Sequence, residues 1–426
     1  MKVYIHSNGC EEAKLDAQRL RNLIYGTNYV CTDDASLSDI IVFYACGHLP
    51  EKETESLSLI KKLMSLKKSS GILVVGGCLP KINAKAVRGV YQGCMIGPEE
   101  WDSFCDLFNQ PKERIHNVHA NELDSASKLN YPFLHSSRLN ALYNIVRSQK
   151  TWYIKIVTGC VQNCTYCTDR LAFRHCSSQP IDSIVSQFEL GLKNDFKNFY
   201  FVGRDLGSYG YDLGYDLPTL LNKILENYHS EYYKLQLNNL SPRSLVDFYP
   251  KLENQFSNGK IFQIGSHIQS GSDRILELMG RRYSIHEWLK TAKKIKEKYP
   301  DVRLITSIIV GFPTETDQDF NKSMELLDCN LFDQVDIFMY EERPNLPSLK
   351  LGGAIPRRVK EIRFDEMRRK LILRGIIKNS SRIEIKLLLE SLIAYADIIV
   401  DKYSRPLNSS KNKLNPREFQ IFNERQ

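Results

Sequence analysis

The sequence lacks any long apolar run. A helix that crosses a membrane needs about 18 to 20 consecutive apolar residues, and the most apolar segments, 308–312 and 387–400, are short or carry charge. Residues Met1–His6 form a short strand-like run without the apolar centre and small-residue cleavage site of a signal peptide. We therefore expect no membrane association and a cytoplasmic location.

The sequence also lacks the low hydrophobicity of disordered chains and the regular cysteine framework of small secreted proteins. Its 426 residues are 42% hydrophobic and 25% charged, which is typical of a globular protein with about two or three domains. Eleven cysteines are present, an odd number that is too unevenly spaced for a disulfide scaffold. In a chain without a signal peptide, such cysteines indicate reduced thiols that serve metal binding or catalysis.

Positive charge is concentrated at the C-terminal end. The net charge is +8, and residues 351–426 contain 17 Lys or Arg against 9 Asp or Glu, whereas the remaining basic and acidic residues cancel. Arg374, Lys378, Arg382 and Lys386 follow at four-residue spacing, which would place them along one flank of a helix. This asymmetry fits either an anionic partner such as nucleic acid or a solvated basic face.

The N-terminal 110 residues alternate short apolar runs with helical patterns, which predicts a parallel α/β sheet. The predicted strands are Lys2–Ile5, Asp39–Tyr44 and Gly71–Val75, and the predicted helices are Glu12–Ile24 and Thr54–Leu66. A cysteine follows the end of each strand, at Cys10, Cys46 and Cys78. Because the carboxyl ends of parallel strands share one edge of a sheet, these thiols can converge on a metal centre. The alternative is that they are small buried side chains.

A second α/β region begins near residue 151. Its predicted strands are Trp152–Val157, Asn198–Val202, Lys234–Leu237, Ile261–Ile264, Val302–Val310 and Val335–Met339, with helices between them. This pattern predicts a partial (β/α)6 barrel whose active site lies at the carboxyl ends of the strands. The predicted domains are thus 1–110, a linker over 111–150, the barrel over 151–356 and a C-terminal extension over 357–426. The extension is predicted to be helical over Val359–Lys378 and irregular from about Ser404.

Three cysteines follow the first barrel strand within eight residues, at Cys160, Cys164 and Cys167. Short cysteine spacing of this kind is typical of an iron–sulfur cluster. With only three thiolates, one iron of a four-iron cluster is left free to bind a substrate or cofactor. A structural zinc site is the alternative, and it needs a fourth ligand, for which His175 and Cys176 are available.

The triplet, with Tyr166 before its last cysteine, resembles the radical S-adenosylmethionine (SAM) superfamily. Further strings resemble the methylthiotransferase family within it, over about residues 2–375. They are Phe201-Val-Gly-Arg-Asp-Leu-Gly-Ser-Tyr-Gly210, Gln269-Ser-Gly-Ser-Asp-Arg-Ile-Leu-Glu-Leu-Met-Gly-Arg-Arg-Tyr283, Ile308-Ile-Val-Gly-Phe-Pro-Thr-Glu-Thr316 and Tyr340-x-x-Arg343. In the first of these strings Arg204 stands where the family's segment has glutamine.

The resemblance implies SAM and two [4Fe–4S] clusters as cofactors. Cys160, Cys164 and Cys167 would hold the cluster that binds SAM, and reductive cleavage of SAM would yield a radical that removes hydrogen from an unactivated C–H bond. No side chain is expected to act as a catalytic acid or base. The residues expected to contact SAM lie at strand ends: Tyr166, Gly203, Arg204, Asp205, Tyr209, Gln269, Ser270, Gly311, Phe312 and Pro313. The alternative for each is packing or turn geometry at the barrel mouth.

The family's second cluster matches Cys10, Cys46 and Cys78. Its open iron would carry the sulfur of the methylthio group, and a second SAM would supply the methyl group. The resemblance therefore implies methylthiolation, with a transfer-RNA adenosine as the favoured substrate and an electron donor such as flavodoxin or ferredoxin. The alternatives are a ribosomal protein, a peptide or a small molecule as substrate, or a non-catalytic cluster protein that binds RNA.

Several positions depart from the family. Ala13 and Ala17 stand where it usually has Asn and Ser after the first cysteine, His267 replaces a proline and Ser307 replaces an aspartate. Residues 371–426 also lack the glycine-rich pattern of the TRAM domain, a small β-barrel that helps family members to grip their substrate. None of these departures removes a predicted metal ligand, so they bear on the substrate rather than on the metal chemistry.

Overall fold

The computed structural model describes residues 1–123 and 150–378. The described residues up to 372 form one compact unit that contains two separate parallel sheets. Much of the predicted linker lies outside the described residues. So do Arg382, Lys386, the segment that begins at Ser404 and most of the region in which no TRAM pattern is recognised. The four predicted domain limits stay predictions.

The first sheet is parallel throughout. Its strands are β1 Lys2–Ser7, β2 Val30–Cys31, β3 Ile40–Tyr44, β4 Ile72–Gly76 and β5 Cys94–Ile96. They lie in the order β2-β1-β3-β4-β5, and the central strand β3 is buried along its whole length. The three predicted strands are confirmed, whereas β2 and β5 are additional short edge strands with too few residues to show periodicity.

Five helices accompany this sheet. They are α1 Glu11–Ile24, α2 Pro50–Leu66, α3 Leu79–Ile82, α4 Ala84–Arg88 and α5 Trp101–Leu107. Helix α2 begins four residues before the predicted start at Thr54, because the fixed φ of Pro50 suits the first helical position and its missing N–H costs nothing there. A 3-10 helix over Lys112–Asn117 lies in the predicted linker.

The second sheet forms the barrel. The remaining strands are β6 Thr151–Lys155, β7 Val157–Thr158, β8 Ser177–Ser178, β9 Asn198–Val202, β10 Lys234–Leu237, β11 Ile261–Gly265, β12 Arg303–Val310 and β13 Gln334–Met339. Six of them pair in parallel and in sequential order, β6-β9-β10-β11-β12-β13. Sequential crossovers of one hand place the helices on one face of the sheet. Within the described residues β6 and β13 do not pair, which confirms the predicted partial barrel.

The first barrel strand is shorter than predicted. The range Trp152–Val157 is divided, because β6 ends at Lys155 and β7 pairs antiparallel with β8. Ile156 is the point of division: its N–H donates to Val202 O at 2.9 Å, and its carbonyl oxygen accepts the N–H of Gln179 at 2.8 Å. The chain thereby leaves the sheet just before the cysteine triplet.

Nine further helices lie in the described residues after β7. They are α6 Asp169–Ala172, α7 Ile181–Lys193, α8 Leu217–Tyr228, α9 Pro242–Phe248, α10 Glu253–Ser257, α11 Asp273–Leu278, α12 Ile285–Lys298, α13 Asp317–Leu326 and α14 Arg357–Lys378. The last confirms the helix predicted over Val359–Lys378. None of the helices in residues 1–123 and 150–378 combines the length and the apolar character needed to span a bilayer.

Asp319 in the first turn of α13 fixes the loop that follows β11. Its carboxylate accepts hydrogen bonds from Ser272 Oγ at 2.6 Å and from the N–H of Thr316 at 3.0 Å, and it pairs with Arg274. Burial alone would raise the pKa of Asp319, but the hydrogen bonds from Arg274, Ser272 and Thr316 outweigh burial and hold that pKa well below its usual range.

We expect Asp319→Asn to lower the free energy of unfolding at pH 7 by about 2 to 3 kcal/mol, the usual value of hydrogen bonds to a charged group. Because the folded-state pKa is below the unfolded-state value, this contribution is complete above about pH 5 and declines as the pH falls through the acid range. Urea unfolding of parent and variant across this range measures both effects. The exposed Asp317 in the same turn is the control, and an equal loss in Asp317→Asn would contradict the assignment.

Candidate active site

The cysteine triplet lies in a loop directly after β7. Gly159 has a φ of +79°, and a Cβ at this position would lie 2.0 Å from the carbonyl oxygen of His175, so only glycine permits this approach. Thr165 anchors the loop: its N–H donates to Met279 O and its hydroxyl donates to Leu278 O, both at 2.9 Å. Backbone contacts therefore hold the thiols at the carboxyl ends of the barrel strands.

Burial makes the triplet thiols hard to ionise in the absence of a metal. Burial raises the pKa of the Cys160 thiol to about 12, with a further rise from the Asp205 carboxylate. Burial and the Asp169 carboxylate likewise raise the pKa of the Cys167 thiol. Metal ligation requires thiolates, and the positive charge of iron is the kind of partner that stabilises them in such surroundings.

The loops after β1, β3 and β4 are joined to one another. Asn8 Oδ1 accepts the N–H of Cys46 at 3.0 Å, and Asn8 Nδ2 donates to Ser56 Oγ at 2.9 Å. Gly77 has a φ of +87°, and a Cβ there would lie 2.9 Å from the carbonyl oxygen of Ala45. The loop after β4 therefore approaches the loop after β3 as closely as the backbone permits.

The structure brings Cys10, Cys46 and Cys78 together at this edge of the sheet. Burial is the main cause that raises the pKa of the Cys46 and Cys78 thiols, and for Cys78 the other two cysteines add to the rise. Cys10 is exposed and is the residue directly before α1, where the helix dipole favours a thiolate. Three cysteines from distant segments thus meet at one edge of the sheet.

The two cysteine groups lie in the same part of the molecule. Cys78 packs against Ala172 and Phe173, which follow the triplet at the end of α6. His48, two residues after the second N-terminal cysteine, has its Nδ1 3.1 Å from Thr168 Oγ1. The segment after the triplet therefore contacts two of the three N-terminal cysteine loops.

A cavity of about 430 Å³ opens at the carboxyl ends of the barrel strands. The three triplet cysteines line it, and the segment 48–50 lines it from the N-terminal sheet. Strands β12 and β13 and the loops after β9, β10 and β11 complete the wall. The cavity is thus shared by both halves of the compact unit.

Four predicted SAM contacts line this cavity: Tyr166, Arg204, Asp205 and Gln269. Gln269 has a φ of +71°, an uncommon conformation for a residue other than glycine, and such strain is concentrated at functional sites. Its Nε2 donates to Ser307 Oγ at 3.1 Å, whereas its Oε1 is buried without a hydrogen-bond partner among the described residues. This oxygen is available to a hydrogen-bond donor of a ligand.

Three other predicted contacts pack behind the wall. A Cβ on Gly203 would lie 2.5 Å from a side-chain carbon of Val157. Tyr209 is buried, and its hydroxyl donates to Gln179 O at 3.0 Å. Ser270 is also fully buried. The structure thus places these residues in supporting positions and outside the cavity lining.

The turn after β12 supplies the last three predicted contacts, and it too lies behind the cavity wall. The N–H of Gly311 donates to Glu315 Oε2 at 2.8 Å. Phe312 is buried and meets Tyr166 edge-on, with ring centroids 6.4 Å apart. Pro313 is buried beside it. This turn positions Tyr166.

Arg281 and His267 are among the lining residues that were not predicted contacts. Arg281 Nη1 lies 3.5 Å from Cys164 Sγ, and its Nη2 donates to the carbonyl oxygen of His267 at 2.6 Å. The ring Nε2 of His267 lies 3.1 Å from Asn239 Oδ1. Burial and Arg281 lower the pKa of His267 to about 4, so its ring is neutral at pH 7. Arg281 lies inside a family string and His267 follows β11 shortly before Gln269, so both could have been found from the sequence.

Arg343 joins the end of the barrel to the N-terminal sheet. Its Nη2 donates to the carbonyl oxygen of Gly47 at 2.8 Å, directly after Cys46. It also pairs with Glu53, and the side chains of this pair are 8% and 14% exposed. A buried ion pair of this kind sets the position of the second cysteine loop against the barrel.

Each cysteine group supplies three thiols, the donors by which proteins hold an iron–sulfur cluster. Among residues 1–123 and 150–378, no three His, Cys, Asp or Glu side chains lie close enough to hold one metal ion. Cys176, a candidate ligand of the zinc alternative, directs its Sγ to Ser208 O at 3.5 Å. A four-iron cluster is wider than an ion and is held by thiolates around its corners. Each group of three cysteines also has an arginine beside it, Arg281 or Arg204.

Two family profiles match the chain. The profile described as Radical SAM superfamily matches residues 154–327, which contain the triplet. The profile described as Uncharacterized protein family UPF0004 matches residues 2–96, which contain Cys10, Cys46 and Cys78. The two cysteine groups thus fall in two separately recognised regions.

Curated relatives match over most of the chain. The probable threonylcarbamoyladenosine tRNA methylthiotransferase of Pyrococcus abyssi is 28% identical over 355 residues, which cover 82% of this chain and 79% of that protein. The threonylcarbamoyladenosine tRNA methylthiotransferase MtaB of Thermotoga maritima is 28% identical over 371 residues, with coverage of 86% and 81%. The ribosomal protein uS12 methylthiotransferase RimO of Carboxydothermus hydrogenoformans is 29% identical over 381 residues, also with 86% and 81%. The chain belongs to the radical SAM methylthiotransferase family.

Solved structures share the fold of this radical SAM methylthiotransferase. The radical SAM methyltransferase TsrM from Kitasatospora setae, with cobalamin and a [4Fe–4S] cluster bound, has a TM-score of 0.58 and 12% identity, with 82% of this chain and 76% of that chain covered. The cobalamin-dependent SAM radical enzyme OxsB, with aqua-cobalamin and SAM bound, has the same TM-score and identity, with 99% and 74% covered. At this identity the likeness shows the fold alone.

Family membership confirms the predicted enzyme class and the predicted cofactors, SAM and [4Fe–4S] clusters. It does not assign individual residues to them. Those assignments rest on the geometry described above and belong to the proposal that follows.

Proposed function

We propose that this methylthiotransferase replaces a hydrogen of a transfer-RNA adenosine by a methylthio group, with threonylcarbamoyladenosine as the favoured substrate. The observation that carries the proposal is that the triplet lines the cavity, while the segment after the triplet contacts the N-terminal cysteine loops of the other sheet. The relatives from Pyrococcus abyssi and Thermotoga maritima, whose names specify this nucleoside, support the choice of substrate.

Each cysteine group has its own part in the proposal. Cys160, Cys164 and Cys167 hold the SAM-binding cluster, and Cys10, Cys46 and Cys78 hold the second. When bound, the clusters and SAM supply the radical that removes hydrogen from an unactivated C–H bond, together with the sulfur and methyl group that replace it. A one-electron donor such as flavodoxin or ferredoxin is the partner that this chemistry requires.

The chain's own residues bind and orient the reactants. Gln269 Oε1 accepts a hydrogen bond from an amine or hydroxyl of the ligand, since a buried acceptor left unpaired costs free energy. The apolar side chains of Ile309 and Phe338 form part of the wall, and they reduce the access of water to a reactive intermediate. The ion pair of Arg343 and Glu53 fixes the position of the second cysteine loop relative to the barrel.

A ribosomal protein is the second candidate substrate. The observation in its favour is that the uS12 methylthiotransferase RimO of Carboxydothermus hydrogenoformans is as similar to this chain as the transfer-RNA enzymes are. Both reactions insert a methylthio group at a C–H bond, so the cysteine groups do not distinguish them.

Mass spectrometry of nucleosides and ribosomal proteins, from cells with and without the gene, tests the proposal. We expect a methylthiolated adenosine to disappear from transfer RNA and threonylcarbamoyladenosine to accumulate, while the mass of ribosomal protein uS12 stays constant. Re-expression of the parent or of Cys94→Ala should restore the modification, and Cys78→Ala should not. A mass loss in uS12 with unchanged transfer RNA would favour the second candidate instead.

A further inference from the structure

A group of five charged side chains lies where the N-terminal sheet meets the barrel. This ion cluster consists of Glu12, Asp16, Lys155, Asp169 and Arg204, whose side chains are all less than one-fifth exposed. Buried ion pairs add little to stability compared with apolar packing. The position of these charges between the two cysteine groups therefore calls for a role beyond folding.

Arg204 is the member of the ion cluster that reaches a cysteine. Its Nε lies 2.8 Å from Glu12 Oε2, its Nη1 3.5 Å from Asp169 Oδ1 and its Nη2 3.6 Å from Cys78 Sγ. Its guanidinium also lies over the Phe173 ring, 4.6 Å from the centroid. Burial would lower the pKa of Arg204, but Asp169 and Glu12 raise it well above its usual value. The cation is therefore permanent and fixed in place.

The carboxylate partners tie Arg204 to both cysteine groups. Glu12 is two residues after Cys10 in the first turn of α1, and Asp169 is two residues after Cys167 at the start of α6. Any shift of Arg204 would have to break contacts with both segments at once. The guanidinium is thus held at a set distance from the N-terminal thiols.

Lys155, at the end of β6, pairs with the two α1 carboxylates of the ion cluster. Its Nζ lies 2.9 Å from Asp16 Oδ1 and 3.1 Å from Glu12 Oε1. The five side chains carry two positive and three negative charges, so the ion cluster has a net charge of −1. Arg204 is nevertheless the cation that reaches the N-terminal thiols, with its Nη2 3.6 Å from Cys78 Sγ.

We propose that Arg204 is the counter-charge of the cluster bound by Cys10, Cys46 and Cys78, and that it raises the reduction potential of that cluster. The inference rests on the proposed function, because it needs a cluster at these cysteines. A cluster with three thiolates becomes more negative on reduction, and a fixed cation in a poorly hydrated site stabilises the reduced form.

Potentiometric titration followed by electron paramagnetic resonance tests the proposal. The full-length protein is used with Cys160, Cys164 and Cys167 replaced by alanine, so that only the N-terminal cluster gives a signal. We expect Arg204→Gln to lower the midpoint potential and Arg204→Lys to leave it closer to the parent value. Glu12→Gln removes an opposing charge and should raise the potential, and the double variant Glu12→Gln/Arg204→Gln should return toward the parent.

Arg363→Gln is the matched control. The Arg363 side chain is 7% exposed and pairs with the buried Glu315 and the exposed Asp317, so its loss also leaves a buried carboxylate, that of Glu315, without a cation. We expect the control to lower stability and to leave the potential unchanged. The proposal would be overturned if the midpoint potential were unchanged in both Arg204→Gln and Glu12→Gln. It would also be overturned if the control variant shifted the midpoint potential equally. If Arg204→Gln does not fold, the sign of the Glu12→Gln shift decides.

Iron content separates the failure of this inference from the failure of the proposed function. In the background without the triplet, protein that binds no iron rejects both. Protein that binds about four irons, with a potential independent of the charge at residue 204, rejects this inference alone. The function then remains open to its own test by mass spectrometry.

Discussion

Replacement of Cys10, Cys46 and Cys78 by alanine is expected to lower the iron content of the reconstituted protein from about eight to about four atoms per chain. The physical reason is that these thiols converge from three strand ends, so their joint loss removes one complete ligand set. SAM cleavage to 5′-deoxyadenosine should persist, because the triplet lies on a different sheet, whereas methylthio product should fall to the detection limit. Iron analysis and product chromatography measure the two effects.

The matched control for this triple variant is the joint replacement of Cys31, Cys94 and Cys329. None of these cysteines is fully buried, and none lies at the edge of the sheet where the N-terminal group converges. We expect this control to keep about eight irons and full activity. Equal iron in parent and triple variant, or loss of all iron from the triple variant, would contradict two separate clusters.

Cys164→Ala is expected to abolish SAM cleavage while about four irons remain at the N-terminal cysteines. Cys164 is buried and has Arg281 at 3.5 Å from its sulfur, so its loss opens the ligand set and leaves a buried cation unpaired. Because the cofactor performs the bond cleavage, no side chain of the chain substitutes for it. Liquid chromatography of 5′-deoxyadenosine under reducing conditions measures the loss.

Cys176→Ala separates the cluster assignment from the zinc alternative. Cys176 is close to the triplet in sequence, but its sulfur contacts Ser208 O, and burial raises the pKa of its thiol to about 11. We expect this variant to retain SAM cleavage and iron. If Cys176→Ala loses metal as Cys164→Ala does, a fourth protein ligand is present, and the open-iron interpretation of the triplet is wrong.

The sequence was informative wherever chain position alone determines spatial position. A residue just after a parallel strand must lie at the carboxyl edge of the sheet, so Cys10, Cys46 and Cys78 could be brought together before any fold was known. The same reasoning applies to Gln269 and to Asp205, which follow barrel strands and line the cavity.

The sequence was less informative where side-chain direction depends on distant segments. Arg204 follows β9 as Asp205 does, and both were expected to face SAM. Arg204 does line the cavity, but its guanidinium also reaches Cys78, because it pairs with Glu12, which lies almost two hundred residues earlier in the chain. Phe312 likewise belongs to a family string but supports Tyr166 from behind. The position of a residue at a strand end therefore does not show whether its side chain faces the cavity or packs against other segments.

The contact of Arg343 with the carbonyl of Gly47 spans 296 residues of sequence. During synthesis the N-terminal sheet emerges first, and at about 5 to 20 residues per second the arginine follows roughly 15 to 60 seconds later. Throughout that interval the thiols of Cys10, Cys46 and Cys78 are present without the contact that Arg343 makes to the second cysteine loop. We therefore expect the Cys46 loop to reach its final position only after the barrel has been synthesised, and a prematurely terminated polypeptide to lack this contact.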